Sequence, residues 1–122
     1  MPNYVVNKDF YNRIKEYKKT KSKKIYEQIG KDFILIATNY LHRSNLINYS
    51  QDRKNEMISD ATYYMVKYLD KFDINRFNAF AYFTTVAKNA FLQYINDQKR
   101  RDEFFTSIEY IDNMESNNEN LS

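Results

Sequence analysis

Apolar residues recur at helical spacing through most of this chain, and the clearest pattern lies between Asn78 and Arg101. We predict a helix here, with Asn78 as its cap and one apolar stripe facing a core. The stripe comprises Phe80, Phe83, Ala87, Ala90, Phe91 and Tyr94. The opposite stripe comprises Tyr82, Thr85, Val86, Asn89, Gln93 and Asn96, followed by Lys99, Arg100 and Arg101.

The residue types on this second stripe are those that contact nucleic acid. An aromatic ring can stack on an unpaired base, an amide can read a base edge, and cations hold phosphates. Periodicity alone favours the simpler interpretation, an amphipathic helix with a solvated face. The two interpretations stay open until the rest of the chain is considered.

Three earlier helices are predicted by the same criterion. The first covers Lys8 to Tyr17 and is capped by Asn7, the second covers Ile25 to His42, and the third covers Arg53 to Phe72. Ser50 or Asp52 is expected to cap the third. The predicted core positions of the first two are Phe10, Ile14 and Tyr17, then Ile29, Phe33, Ile36, Ala37, Tyr40 and Leu41.

The third predicted helix has two distinct faces. Its buried stripe comprises Ile58, Ala61, Met65, Tyr68, Leu69 and Phe72, with Met57 and Tyr64 at the margins. Its outward stripe comprises Glu56, Asp60, Tyr63, Lys67 and Asp70.

The segments between these helices are polar. Lys18 to Lys24 (KKTKSKK) reads as a flexible basic connector, for which solvation is favoured and phosphate contact is the alternative. Arg43 to Tyr49 is a predicted loop, and Asp73 to Phe77 (DINRF) is a predicted turn.

Composition supports an all-α protein, a compact bundle of about four helices. The 122 residues include one Gly and one Pro, too few for a fold rich in hairpins. There is no Cys, and His42 is the single His, so a thiolate or zinc cluster is excluded. No apolar run reaches the ~20 residues of a membrane span. We therefore expect a soluble, intracellular domain without membrane contact.

Charge is unevenly distributed along the chain. Six acids and no basic residue follow Arg101, whereas residues 1–101 carry 19 basic and 10 acidic side chains, a balance of +9. A basic body favours a polyanionic partner. We divide the chain into residues 1–24 (arm, short helix and connector), 25–101 (helical domain) and 102–122 (acidic tail, partly disordered). The tail's apolar residues are expected to dock on the core, with a linear interaction motif as the alternative.

Catalytic chemistry is not predicted. His42 has no evident acid or nucleophile partner, and Glu56 and Asp60 lack the further ligands that a metal site needs. We expect no enzyme, no cofactor and no metal.

Two stretches in this order resemble region two of bacterial sigma factors. Glu56 to Asp73 (EMISDATYYMVKYLDKFD) is similar to the segment that binds the polymerase clamp, and Asn78 to Ile95 is similar to the segment that melts the promoter. The triplet Ala87-Lys88-Asn89 stands where many small sigma factors have Ala-Arg-Asn. The chain more closely resembles the late-transcription sigma factors of T-even-type bacteriophages, from the Asn3 to Val5 arm through Ile34 to Ala37, Gln51 to Ile58 and on to Arg101.

The resemblance implies two interfaces. The first would bind a coiled coil of the clamp in the largest subunit of bacterial core RNA polymerase, through Glu56, Ser59, Asp60, Thr62, Tyr63 and Val66. The second would bind promoter DNA, through Tyr82, Phe83, Thr85, Val86, Lys88, Asn89, Gln93, Lys99, Arg100 and Arg101. Tyr82 or Phe83 would stack on the flipped base, and the helical stripe favours Tyr82 as the exposed one. Location in the cytoplasm of an infected bacterium is also implied.

The sequence departs from the family in two places. The tryptophan pair that wedges the melted duplex in primary sigma factors is replaced by Thr85-Val86 or Val86-Ala87. Melting would therefore rely on fewer aromatics, on an AT-rich site or on a coactivator. The phage family's clamp-binding C-terminal peptide is poorly matched by Asn120 to Ser122, and Ile108 to Asp112 is a substitute candidate for contact with a sliding clamp.

Three functions are thus expected, in order. The first is a reduced sigma factor that directs core polymerase to an AT-rich, −10-like element of phage late promoters. The second is a polymerase-binding regulator, either an inhibitor or a coactivator, on the same scaffold. The third is a simple helical DNA-binding module.

Overall fold

The computed structural model describes residues 4–44 and 48–121, with side chains to residue 109. Within these ranges the chain forms four α-helices and no strand, so the all-α prediction is confirmed. The helices are α1 (Asn7–Thr20), α2 (Lys23–Arg43), α3 (Gln51–Leu69) and α4 (Ala79–Leu121). Contacts divide the chain into two units, Met1–Phe91 and Leu92–Ser122. The divisions expected at 24/25 and 101/102 stay predictions.

The first unit is built around three phenylalanines from three helices. Phe10 of α1, Phe33 of α2 and Phe83 of α4 have no exposed surface. Their ring centroids lie 6.0 Å (Phe10–Phe33), 5.9 Å (Phe10–Phe83) and 4.8 Å (Phe33–Phe83) apart. Edge-on and tilted rings at such distances add to the stabilisation from burial. This cluster explains why the apolar stripes of these three helices face one another.

The contribution of α3 to the core is a row of residues four positions apart. The buried members are Met57, Ala61, Met65 and Leu69. The prediction that Ile58 and Tyr68 lie on the buried stripe and Met57 at its margin is wrong, since Ile58 and Tyr68 are only half-buried. Each i, i+4 step turns about 40° around the helix axis, so the buried row of α3 winds around the helix, whereas the mixed three- and four-residue spacing that we expected would stay on one face.

Helix α1 differs from its prediction at both ends. Its N-cap is Val6, not Asn7, and no side chain caps it. It continues to Thr20, so the expected flexible connector is reduced to two residues, Lys21 and Ser22. Lysine is a good helix former, which explains the extension. Lys21 then ends the helix in the left-handed conformation (φ 54°), and its N–H donates to the Tyr17 carbonyl over 2.7 Å.

The caps of α3 and α4 are the ones that the sequence indicates. The Ser50 hydroxyl accepts from the Arg53 N–H over 3.3 Å, so Ser50 rather than Asp52 caps α3. Asn78 Oδ1 accepts from the Ala81 N–H over 2.9 Å and caps α4. Each cap satisfies an N–H that has no partner within the helix.

An ion pair joins α1 to α2. Arg13 donates Nε to Asp32 over 2.6 Å and Nη2 to its second oxygen over 2.9 Å. The pair is bidentate and largely shielded from solvent, with side chains 29% and 13% exposed. Burial raises the pKa of Asp32, because desolvation outweighs the opposing hydrogen bond and charge of Arg13, and the charge of Asp9 adds to the rise. The pair fixes the register of α1 on α2.

Some predictions concern residues outside the described ones. They are the start of the arm at Asn3, the middle of the loop at residues 45–47, and the end of the tail at Ser122. The same holds for the side chains of residues 110–121, which include part of the Ile108 to Asp112 candidate. The backbone of α4 continues to Leu121, through the stretch for which we expected disorder. None of the helices in the described part of the chain has a span long and apolar enough to cross a membrane.

Candidate functional site

The outward face of α3 is a continuous exposed surface. Glu56, Asp60 and Tyr63 are all exposed, and Tyr63 is 64% exposed. Lys67 of the same helix and Asp70, which caps its C-terminal end, are also exposed, so the predicted outward stripe is confirmed. The neighbouring row from Met57 to Leu69 is buried and supplies the core contacts of α3. The outward stripe is therefore accessible without any loss of core packing.

The remaining candidates on α3 are placed less uniformly. Ser59 is exposed, whereas Thr62 and Val66 are half-buried. The Thr62 hydroxyl donates to the Ile58 carbonyl over 2.8 Å, so it is already used within the helix. A partner would meet Glu56, Asp60 and Tyr63 first and touch Thr62 and Val66 only at the edge of the contact.

Tyr82 is not the exposed aromatic that the helical stripe predicts. It is half-buried, and its ring packs 4.9 Å from Phe72 and 5.7 Å from Phe77, measured between centroids. The turn after α3 brings these two rings against the outer side of α4. The prediction of an exposed Tyr82 is therefore wrong, because residues outside the helix cover a position that its own periodicity leaves open.

Phe83 is fully buried, as its place on the apolar stripe predicts. Besides Phe10 and Phe33 it contacts Phe72, with centroids 5.2 Å apart. A base cannot reach this ring without opening the core. Of the two candidates for stacking, only Tyr82 has accessible surface.

Phe77 is an exposed aromatic that the sequence analysis assigned only to a turn. Phe77 is 45% exposed, and the Arg76 guanidinium lies over its ring, 5.2 Å from the centroid. With Tyr82 and the buried Phe72 it forms a row of rings that leads from the core to the surface. The sequence signal for this row was a pair of aromatics, Phe72 just before the turn and Phe77 at its end. A helix that carries Tyr82 follows them directly.

The other candidates in the first part of α4 are mostly exposed. Thr85, Lys88 and Asn89 are exposed, and Val86 is half-buried. The Thr85 hydroxyl donates to the Ala81 carbonyl over 2.9 Å. Lys88 and Asn89 thus offer a cation and an amide on the accessible side of this helix, and Val86 contributes an apolar edge.

The last four candidates belong to the second unit. Gln93, Lys99, Arg100 and Arg101 are all exposed. The Gln93 amide donates to the Asp97 carboxylate over 3.0 Å, so base reading by this amide would require that bond to break. The three successive cations form a basic segment that can hold phosphates.

The apolar residues that follow in this unit are exposed. Phe104 is 62%, Phe105 61% and Ile108 38% exposed. All three lie within α4, which continues to Leu121. The expected docking of the tail's apolar residues on the core stays a prediction.

No group of His, Asp and Glu side chains suited to a metal ion occurs among the described residues. His42 is exposed near the end of α2. No protein-family model and no curated protein matches this chain.

Proposed function

We propose that this chain is a reduced sigma factor, which binds bacterial core RNA polymerase and directs it to an AT-rich promoter element. The observation that carries the proposal is the division of α3 into two faces. One face, from Met57 to Leu69, lies in the core, while the other exposes Glu56, Asp60 and Tyr63. These exposed residues fall at the positions through which the chain resembles clamp-binding sigma segments.

The proposed polymerase contact is electrostatic with one aromatic anchor. Carboxylates at Glu56 and Asp60 suit a basic coiled coil, because complementary charges accelerate association and fix register. Tyr63 adds a large ring, and tyrosine is enriched among the residues that dominate interface energetics. Its ring already packs edge-on against Tyr64 at 5.4 Å, which limits the ordering that binding requires.

The proposed DNA contact uses the row of rings at the start of α4. Phe83 has no exposed surface, so stacking on an unpaired base is assigned to Tyr82, with Phe77 as its exposed neighbour. Asn89 would read a base edge, and Lys88 would hold a phosphate. Lys99, Arg100 and Arg101 would add phosphate contacts that do not depend on sequence.

A transcription assay tests this proposal. Purified bacterial core polymerase is incubated with the chain on AT-rich templates, with and without a coactivator and sliding clamp. We expect run-off transcripts that depend on the chain and permanganate-reactive thymines in the melted element. Failure to co-purify with core polymerase would contradict the proposal.

A second candidate is a polymerase-binding regulator that does not initiate. It is favoured by the packing of Tyr82 between Phe72 and Phe77, which leaves only part of the ring for a base, and by the absence of a tryptophan pair at Thr85 to Ala87. Association with core polymerase without promoter melting on any template would support it over the first.

A further inference from the structure

The turn between α1 and α2 concentrates positive charge. Residues 18–24, which we call the lysine turn, contain five lysines, and no acid occurs between Glu16 and Glu27. They carry no apolar side chain either. The sigma-like contacts proposed above use none of these residues, so the charge density has no assigned role.

The backbone of the lysine turn is held by a series of hydrogen bonds. The Thr20 hydroxyl donates to the Glu16 carbonyl over 3.0 Å and accepts from the Ser22 N–H over 3.2 Å. Ser22 then caps α2 by accepting from the Ile25 N–H over 3.5 Å. The lysines are thus carried on two helix ends and a fixed two-residue link, so binding would order only their side chains.

Two of the lysines have structural contacts. Lys18 donates Nζ to the Leu69 carbonyl over 3.1 Å, which satisfies an acceptor at the end of α3. The Lys21 ammonium lies over the Tyr17 ring, 5.0 Å from the centroid. The other three, Lys19, Lys23 and Lys24, are exposed.

The hydrogen bond from Lys18 to Leu69 places the lysine turn beside the C-terminal end of α3. The segment that follows Leu69 adds two exposed cations, Lys71 and Arg76, against two exposed acids, Asp70 and Asp73. Since these four charges cancel, the net charge at this end of the first unit comes from the lysines of the turn. A polyanion would meet a surface with a clear positive excess.

We propose that the lysine turn is a contact site for the phosphate backbone of nucleic acid, and that it operates without RNA polymerase. Ammonium groups on a fixed backbone match closely spaced phosphates, and their binding releases condensed counterions. Attachment to an anionic membrane typically adds apolar side chains or a lipid to such a cluster, and residues 18–24 have no apolar side chain. Phosphate binding by the turn does not depend on the sigma-like function, since it concerns the free chain.

The test measures binding of the free, full-length chain to a fluorescent 20-base-pair duplex by anisotropy at several salt concentrations. The variant Lys19→Gln/Lys23→Gln/Lys24→Gln removes three charges from the turn. The matched control, Lys8→Gln/Lys31→Gln/Lys67→Gln, removes three exposed charges elsewhere. Circular dichroism confirms that both variants keep the helical content of wild type.

We expect the turn variant to weaken binding and to lower the slope of log affinity against log salt by about 3, roughly one for each phosphate that is no longer neutralised. The control should retain a slope within about 1 of wild type. Equal losses of affinity in both variants would indicate a general charge effect and overturn the site. Absence of duplex binding by wild type would overturn the site too. A turn variant that binds the duplex as wild type does, but has lost the wild-type binding to phosphatidylserine vesicles, would also overturn it.

Discussion

At the scale of single residues, the neighbours Tyr82 and Phe83 show which burial states helical periodicity predicts correctly and which it does not. They point about 100° apart on α4, and the stripe correctly assigns Phe83 to the core. Tyr82 lies on the other side of the helix, yet Phe72 and Phe77 cover part of it. The half-buried state of Tyr82 therefore depends on the segment before α4, which the periodicity of α4 itself does not describe.

This arrangement predicts a graded loss of stability. Phe83→Ala should cost about 3–5 kcal/mol, as other buried aromatic truncations do. Tyr82→Ala should cost about 1–2 kcal/mol, because it loses pairings with aromatic neighbours that are worth about 0.5–1.5 kcal/mol each. Urea unfolding followed by circular dichroism measures both. Equal losses of stability would mean that Tyr82 is part of the core and unsuited to stacking on a base.

Thr84 offers a second test at this scale. Its hydroxyl oxygen is buried without a hydrogen-bond partner among the described residues. Thr84→Val keeps the shape and removes the unsatisfied group, so it should stabilise the fold by about 1–3 kcal/mol. Thr62→Val is the matched control, since the Thr62 hydroxyl does donate a hydrogen bond and its removal should not stabilise. A destabilised Thr84→Val variant would contradict the unsatisfied state of this hydroxyl.

At the scale of elements, the sequence predicts the helices well and their connections poorly. The existence of all four helices and the caps Ser50 and Asn78 follow from local pattern. The shortened link at Lys21 does not, because a left-handed lysine gives no sequence signal comparable to glycine. The exposed α3 face could be predicted, whereas the role of Phe77 beside Tyr82 depends on tertiary contact between a turn and a helix.

The ion pair between α1 and α2 should make stability depend on pH in a specific way. The folded-state pKa of Asp32 is raised above 3.8. The folded chain therefore holds this proton more tightly than the unfolded chain, and the contribution of Asp32 to stability falls as pH rises from 3.8 through the folded value. Removing the Arg13 cation should raise this pKa further.

We accordingly predict that Arg13→Met loses about 1.5–3 kcal/mol at neutral pH, the range for hydrogen bonds to charged groups. The loss should shrink below pH 3.8, where Asp32 is protonated in both states. Urea unfolding at the two pH values measures it. In an Asp32→Asn background the effect of Arg13→Met should be smaller and independent of pH; the same loss at both pH values in the wild-type background would exclude this coupling.

At the scale of the whole molecule, the two units differ in the sign of their net charge. Residues 1–91 carry 16 basic and 9 acidic side chains, and residues 92–122 carry 3 basic and 7 acidic ones. The first unit is therefore a cation of +7, but its α3 face carries the acids Glu56, Asp60 and Asp70. This distribution is compatible with the proposed function, in which the basic body would attract DNA and the acidic face would meet a basic protein partner.

The last prediction tests that acidic surface. On the proposed function, Glu56→Lys with Asp60→Lys should abolish association with core RNA polymerase in a pull-down, because it would place like charges against the basic coiled coil of the proposed contact. The fold should survive, since both side chains are exposed and the row from Met57 to Leu69 is unchanged. The matched control is Glu16→Lys with Glu27→Lys, which makes the same change in net charge at exposed positions of α1 and α2. We expect the control to bind core polymerase as wild type does. Retained binding by the α3 variant, with normal circular dichroism, would show that this face is not the polymerase contact.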